Sequence, residues 1–180
     1  MPSPTRDVAQ DVPRLTTERL VIRAHRIEDL GDCAAMWADP EITRHIGGKT
    51  FSKEEVWSKL LRHAGHWALM GYGYWLIEDK VSHQFIGEVG FANLKREMEA
   101  SFEAAPEIGW ALARSEHMKG YATEAVHAAV AWGEAHFGAV KTMCMIDPDN
   151  APSIRVAEKC GYKEFQRTTY RGDPTILFYR

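Results

Sequence analysis

The 180-residue chain is poor in cysteine, in blocks of like charge and in long apolar runs, and each shortage removes a class of protein. Its three cysteines, Cys33, Cys144 and Cys160, lie far apart and form no Cys-x-x-Cys pair. An odd count in a chain large enough to fold on its own core points to reduced, buried thiols and a cytoplasmic location. No apolar run approaches the roughly 20 residues that span a bilayer, so a membrane partner is excluded. The opening MPSPTRDVAQDVP lacks an apolar signal core. Residues 1–14 therefore read as a mobile leader before a single domain over 15–180. The 22 basic and 25 acidic residues give a formal charge of -3 without long blocks of either sign. That balance argues against a protein that grips nucleic acid by neutralising phosphates, and leaves a small molecule or a peptide as partner. Neither a P-loop nor Gly-x-Gly-x-x-Gly occurs, which disfavours nucleoside triphosphates and NAD. Internal repeats and low-complexity tracts are absent too.

What is present is a regular alternation of elements. Leu20 to Arg23 reads as a short strand. Ile27, Leu30, Ala34 and Trp37 recur at helical spacing until Asp39-Pro40 ends the helix, and a loop with Gly47-Gly48 follows. Ser52, with Glu55 three residues on, predicts a capping box. Behind it Val56, Leu60, Ala64 and Trp67 form one apolar stripe, ended at Gly71-Tyr72-Gly73. Three strands follow at Tyr74–Ile77, Phe85–Ala92 and Ala105–Leu112, the first two joined by a turn at Asp79 to His83. The longest helix runs from Gly120 to Phe137, with Val126, Ala129, Val130, Gly133 and Phe137 on one face. Thr142–Ile146 is a buried strand, Ala151–Cys160 a helix closed by Gly161, and Tyr162–Tyr170 and Thr175–Tyr179 two final strands. This order predicts an α/β sheet with helices on both faces. The crossover through 120–137 makes the strands at 105–112 and 142–146 parallel, with a crevice at their C-terminal ends beside a helix N-terminus.

The segment His117-Met118-Lys119-Gly120-Tyr121-Ala122-Thr123-Glu124-Ala125 lies at that crevice. Free amides of a helix's first turn carry the positive end of its dipole and bind phosphate or pyrophosphate through backbone alone. Gly120 and Ala122 let the backbone approach an anion, Thr123 adds a hydroxyl and Lys119 a charge. On pattern alone the segment is equally a turn before a capped helix.

A second stretch, Asn150-Ala151-Pro152-Ser153-Ile154-Arg155-Val156-Ala157-Glu158-Lys159-Cys160-Gly161-Tyr162, gives it context. Together the two resemble the GCN5-related N-acetyltransferase (GNAT) superfamily, especially its ribosomal-protein-acetylase-like branch. That family's pyrophosphate loop aligns with His117 to Ala122, and its later motif with Asn150 to Tyr162. Thr17-Glu18-Arg19-Leu20, Glu107-Ile108-Gly109-Trp110 and the Gly47-Gly48 loop match as well, so the resemblance spans about residues 15–180. It implies a mixed, mostly antiparallel twisted sheet with helices on both faces and a central splayed parallel pair. It also implies an acetyl-CoA-dependent N-acetyltransferase, whose acceptor is a small-molecule amine or a protein N-terminal amine. A homodimer is the default assembly. Three departures stand out. His117 replaces a usual Gln or Arg, Met118 stands where glycine is common, and Ala157 occupies the place of a tyrosine acid in many relatives.

The resemblance implies that Ala111, Leu112, His117, Met118, Lys119, Gly120, Tyr121, Ala122, Thr123, Asn150 and Ser153 contact coenzyme A. Glu107 is the candidate base, with Glu88 its competitor; the plain alternative is a strand residue that faces solvent or pairs with an arginine. A backbone N–H near Leu112 is the expected oxyanion donor. Ser153 is a donor to the departing thiolate or a first-turn serine, and Asn150 a coenzyme contact or an N-cap. The segment Gly71-Tyr72-Gly73-Tyr74-Trp75 and the loop Thr43 to Gly48 are placed on the acceptor side. His63 and His66 read as solvated helix histidines, with no metal site expected. Trp57, Trp67, Trp75 and Trp110 read as core and cleft wall. A coenzyme A-binding regulatory domain without turnover is the alternative function.

Overall fold

The computed structural model describes residues 12–98 and 106–180. Eight strands form one sheet: β1 (Leu15–Thr16), β2 (Leu20–Arg23), β3 (Tyr74–Asp79), β4 (Phe85–Ala92), β5 (Glu107–Leu112), β6 (Met143–Ile146), β7 (Lys163–Tyr170) and β8 (Asp173–Tyr179). Their spatial order is β1-β2-β3-β4-β5-β6-β8-β7. Every neighbouring pair is antiparallel except β5 and β6, which are parallel. The helices are α1 (Leu30–Trp37), α2 (Pro40–Thr43), α3 (Lys53–Met70), α4 (Tyr121–Phe137) and α5 (Ala151–Lys159). Among the described residues none is long and apolar enough to cross a membrane. All three cysteines are free and buried.

The two faces carry separate cores. On one, Val126, Ala129 and Val130 of α4 pack against Leu20, Ile22, Trp75, Ile77, Val89, Phe91 and Ile108. A Cβ on Gly133 would lie 2.8 Å from the Phe91 ring, so the absent side chain lets α4 sit close on β4. On the other face Cys33, Met36, Trp37, Ile42 and Val56 cover Leu76 and Ala111. The expected helices on both faces are therefore present.

Four local expectations change. Asp39-Pro40 ends α1 but also begins α2: Asp39 accepts the Glu41 N–H at 2.9 Å, with Pro40 in the first turn, where a missing N–H costs nothing. In α3 the buried stripe is Val56, Leu60, His63 and Trp67, while Ala64 is exposed. Steps of four, three and four keep one face inward, and a polar residue takes the third place. Pro13, inside the expected leader, accepts the Trp75 indole N–H at 2.9 Å, and Val12 packs on the core. Ala105, the expected start of the third central strand, lies outside the described residues, and the strand begins at Glu107.

The Ser52–Glu55 capping box forms as expected, and Gly71 caps α3 in the left-handed conformation. A buried cation fixes the sheet's edge. The Arg23 guanidinium reaches Glu78 on β3 at 2.7 Å and both oxygens of Asp29 at 2.8 and 2.9 Å. Burial alone would raise the Asp29 carboxyl, but Arg23 and the Arg26 N–H hold it below the ordinary aspartate value near 3.8. Arg23→Ala strands two buried carboxylates and should lower stability in urea unfolding by about 3–5 kcal/mol. Because Asp29 is depressed in the folded state, its stabilisation is complete above pH ~4 and disappears as pH falls through the folded value. The mutant should therefore lose less stability on acidification below pH 4 than the wild type.

Candidate active site

β5 is hydrogen-bonded to β4 along its whole length, and β6 to β8. Between β5 and β6 the register is a single residue pair, Glu107 opposite Met143. Beyond it the parallel strands part, leaving a wedge that is closed at Glu107 and open towards Leu112. Ala113 donates its N–H to Ile86 on β4. Strand alternation therefore turns the N–H groups of Trp110 and Leu112 the other way, into the wedge.

The chain leaves the wedge through a short 3-10 turn, Arg114–Glu116, and enters α4. Gly120 is the N-cap residue, with φ +82 and no side-chain cap, so the amides of Tyr121, Ala122 and Thr123 have no protein acceptor required of them. Met118 holds φ +61, and its side chain is fully exposed. This is the left-handed conformation that glycine adopts without a side-chain penalty. His117 donates from Nε2 to the Leu112 carbonyl at 2.9 Å, and its backbone N–H bonds to Arg114. It thus ties the loop to β5 and does not present a free backbone amide. The Lys119 ammonium pairs with Glu116 at 3.0 Å.

The loop is braced from a distance in sequence. Glu124 accepts from the Thr17 hydroxyl at 2.6 Å and from the Arg19 N–H and Nε at 2.9 and 2.7 Å. Arg19 also donates to the Lys119 carbonyl at 2.9 Å and lies 4.6 Å above the Tyr121 ring. The Thr17–Leu20 motif, read from sequence only as a match, is thus the clamp on α4's first turn.

The opposite wall is β6 and the start of α5. Asn150 is the N-cap residue of α5, accepting the Ser153 N–H at 3.2 Å. Ser153 is half-buried in that first turn, and its hydroxyl has no partner among the described residues. Ala157 is completely buried and supplies no donor. His45, between α2 and α3, reaches Asp147 at the end of β6 at 2.7 Å, so the expected acceptor-side loop is fastened to the wedge wall.

The two candidate carboxylates differ sharply. Glu107 sits at the closed end of the wedge, and Arg96 binds both its oxygens, at 2.7 and 2.8 Å. Arg96 itself lies 4.8 Å above Tyr170. Arginine pairing, the plain alternative, is therefore present. Glu88, opposite Ala111, is buried among His25 (2.8 Å), the Trp37 indole N–H (2.8 Å), Lys59 (3.4 Å) and His63 (3.7 Å). Burial would raise its carboxyl, yet Lys59 and His25 hold it well below the usual range.

His63 and His66 are not solvated. His63 is buried, and burial pushes its imidazole well below its ordinary value. His66 links the Tyr72 carbonyl, at 2.8 Å, to the Asn93 N–H, at 3.0 Å. The signal for His63 was its place on the apolar stripe of α3. His25, Cys33 and Glu88 bring three ligand-type atoms within 4.8 Å of one another. Lys59 already matches that carboxylate, which makes the group a closed polar cluster.

Comparison with known proteins agrees with this geometry. The acetyltransferase (GNAT) domain matches residues 19–163. The chain is 30% identical over 172 residues to the uncharacterized protein YkkB of Bacillus subtilis, covering 92% of this chain and 94% of that one. A GNAT-family acetyltransferase candidate from Bordetella pertussis superposes with a TM-score of 0.81 at 27% identity, covering 93% and 99% of the two chains. Two more distant structures share the fold. Ribosomal-protein-S5-alanine acetyltransferase from Vibrio fischeri has a TM-score of 0.73 at 20% identity, over 93% and 96% of the chains. Spermidine N-acetyltransferase from Vibrio cholerae, in complex with CoA and spermine, has 0.73 at 16%, over 91% and 96%.

Left-handed Met118 is a local strain that glycine would relieve. Met118→Gly should raise stability by about 0.5–1 kcal/mol in chemical unfolding, since relief of the αL penalty exceeds the added backbone entropy.

Proposed function

The chain belongs to the acetyltransferase (GNAT) domain family, and from that premise we propose that it moves an acetyl group from acetyl-CoA to a primary amine by direct attack in a ternary complex. One observation carries the reading: parallel strands that part after a single pair, with the uncapped N-terminus of α4 at the mouth of the gap.

In this reading the amides of Tyr121, Ala122 and Thr123 bind the pyrophosphate, helped by the dipole of α4 and by Lys119. Gly120 admits the phosphate oxygens, and Met118 and His117 shape the turn that delivers them. The pantetheine arm lies in the wedge along Ala111 and Leu112, facing Asn150 and Ser153 on the other wall. The thioester then reaches the closed end, where the wedge-facing N–H of Trp110 meets the developing oxyanion. An amine with the ordinary lysine-like pKa of about 10 must shed a proton before it attacks. Glu107 is the carboxylate at that end of the wedge, and it relays the proton through water to solvent, returning to its pairing with Arg96. The departing thiol has a pKa of about 8.5 and leaves as thiolate with little help, a hydrogen bond from Ser153 sufficing.

The acceptor is a primary amine of a small molecule or of a protein N-terminus. Neighbours of the same fold are named for spermidine and for a ribosomal protein. Three buried, free thiols suit a cytoplasmic protein. Ala157 favours one second reading, a domain that holds coenzyme A without turnover, because the usual tyrosine is missing there.

Gly120→Glu puts bulk and negative charge at the pyrophosphate, in a backbone conformation a side chain resists. Calorimetry should detect no acetyl-CoA binding to this variant, and wild-type affinity would refute the site. Thiol release from acetyl-CoA across an amine panel separates the two readings. Glu107→Gln should lower that rate at neutral pH at least tenfold and recover towards pH 10, where free amine is abundant. An equal effect at both pH values would remove Glu107 as base.

A further inference from the structure

The strand register places Tyr74, Gly90 and Gly109 in one row across β3, β4 and β5. With no side chain on either glycine, the Tyr74 phenol lies flat over β4 and ends on β5. A Cβ built on Gly109 would fall 2.1 Å from the Tyr74 oxygen, and one on Gly90 would strike the backbone at Tyr74 and Gly73. Gly109 is two residues, about 7 Å of strand, beyond Glu107, where the wedge closes. The next residue is Trp110, whose N–H faces the wedge.

The phenol is held in this pose from behind. Its ring stacks on His63 at 4.8 Å, and His63 stacks on His25 at 4.9 Å. His25 is bonded to Glu88 at 2.8 Å, and His63 lies 3.7 Å from the same carboxylate. The hydroxyl itself has no hydrogen-bond partner among the described residues. Burial, with Glu107 and Glu88 nearby, pushes the phenol above its ordinary value, so it remains a donor across the whole working pH range.

We propose that Tyr74 is a catalytic residue whose hydroxyl, together with the Trp110 N–H, donates to the oxygen of the thioester carbonyl at the closed end of the wedge. This rests on the acetyl-CoA reading above and adds a side-chain donor to it. As the amine nitrogen bonds to the carbonyl carbon, the C=O π pair moves onto oxygen, and both donors shorten onto the new charge. Collapse re-forms the carbonyl and breaks the C–S bond, the pair leaving on sulfur. Tyr74 keeps its proton throughout, and the amine's proton leaves through Glu107 and water. His63, His25 and Glu88 are positioning residues that act through the phenol.

The test uses the full-length protein with acetyl-CoA carrying a 13C-labelled carbonyl. Isotope-edited infrared spectra of the bound thioester should show a lower carbonyl frequency than in buffer, and Tyr74→Phe should return it towards the free value. Binding affinity for acetyl-CoA should stay within twofold, and kcat should fall about a hundredfold, the usual consequence of losing one oxyanion donor. Gly109→Ala should do the same by displacing the phenol, and in the Tyr74→Phe background it should cost little more. An unchanged carbonyl band in Tyr74→Phe overturns the role of Tyr74 while leaving the cofactor reading intact. Failure of the wild-type protein to bind acetyl-CoA at all overturns that reading and the role of Tyr74 with it.

Discussion

A parallel pairing that stops after one residue governs this molecule. β5 and β6 meet only at Glu107 and Met143, yet each is fully paired on its other side. An open seam inside a sheet exposes backbone donors and acceptors that would otherwise be satisfied. The cost is tolerable only because β4 and β8 hold the two walls apart as rigid halves. The seam is consequently a built slot with amides along one wall, and α4 starts at its mouth because the β5–α4 connection must turn there.

Two buried charge clusters tie the sheet to its neighbours, one at the end of β2 and one inside β4. Arg23 bridges β2, β3 and the turn before α1. Glu88, inside β4, gathers His25, Trp37, Lys59 and His63 from three other segments. Buried ion pairs are a weak source of net stability, since desolvation offsets most of the attraction. What they supply here is position: each partner is costly to leave unpaired, so the helices above the sheet have one seating. On the opposite face the apolar contact of α4 with β2, β3 and β4 carries the ordinary hydrophobic share.

The element order was legible in the sequence because its signals are local. Ser52–Glu55, the Gly71 cap and the β-branched run Leu20–Arg23 each declare themselves within a few residues. The position of the His117–Ala125 segment followed from the strand before it. What stayed hidden depends on contacts between distant segments. Thr17 and Arg19 stand more than 100 residues from Glu124, so a short motif could be matched without its bracing role being visible. Arg96 and Glu107 are near in sequence, but only their contact in space shows both carboxylate oxygens taken. His63 was missed because a polar residue was not counted on an apolar stripe, although its spacing fits better than that of Ala64.

Glycine marks the remaining functional information, and it does so by spacing across strands. Gly90 and Gly109 are unremarkable in their own strands, where glycine ordinarily weakens pairing. Their pairing partners make sense of them: Gly90 faces Tyr74 on one side and Gly109 on the other. A row of one tyrosine and two glycines converts the face of a sheet into a groove one ring wide. The groove ends at the strand that borders the slot. From α5 no hydroxyl reaches the slot at Ala157, which fills its place with a buried methyl. A hydroxyl carried in from β3 arrives at the same slot across the sheet itself. The support it needs, a stack of two imidazoles on a buried carboxylate, explains why so polar a cluster is kept beneath α1 and α3.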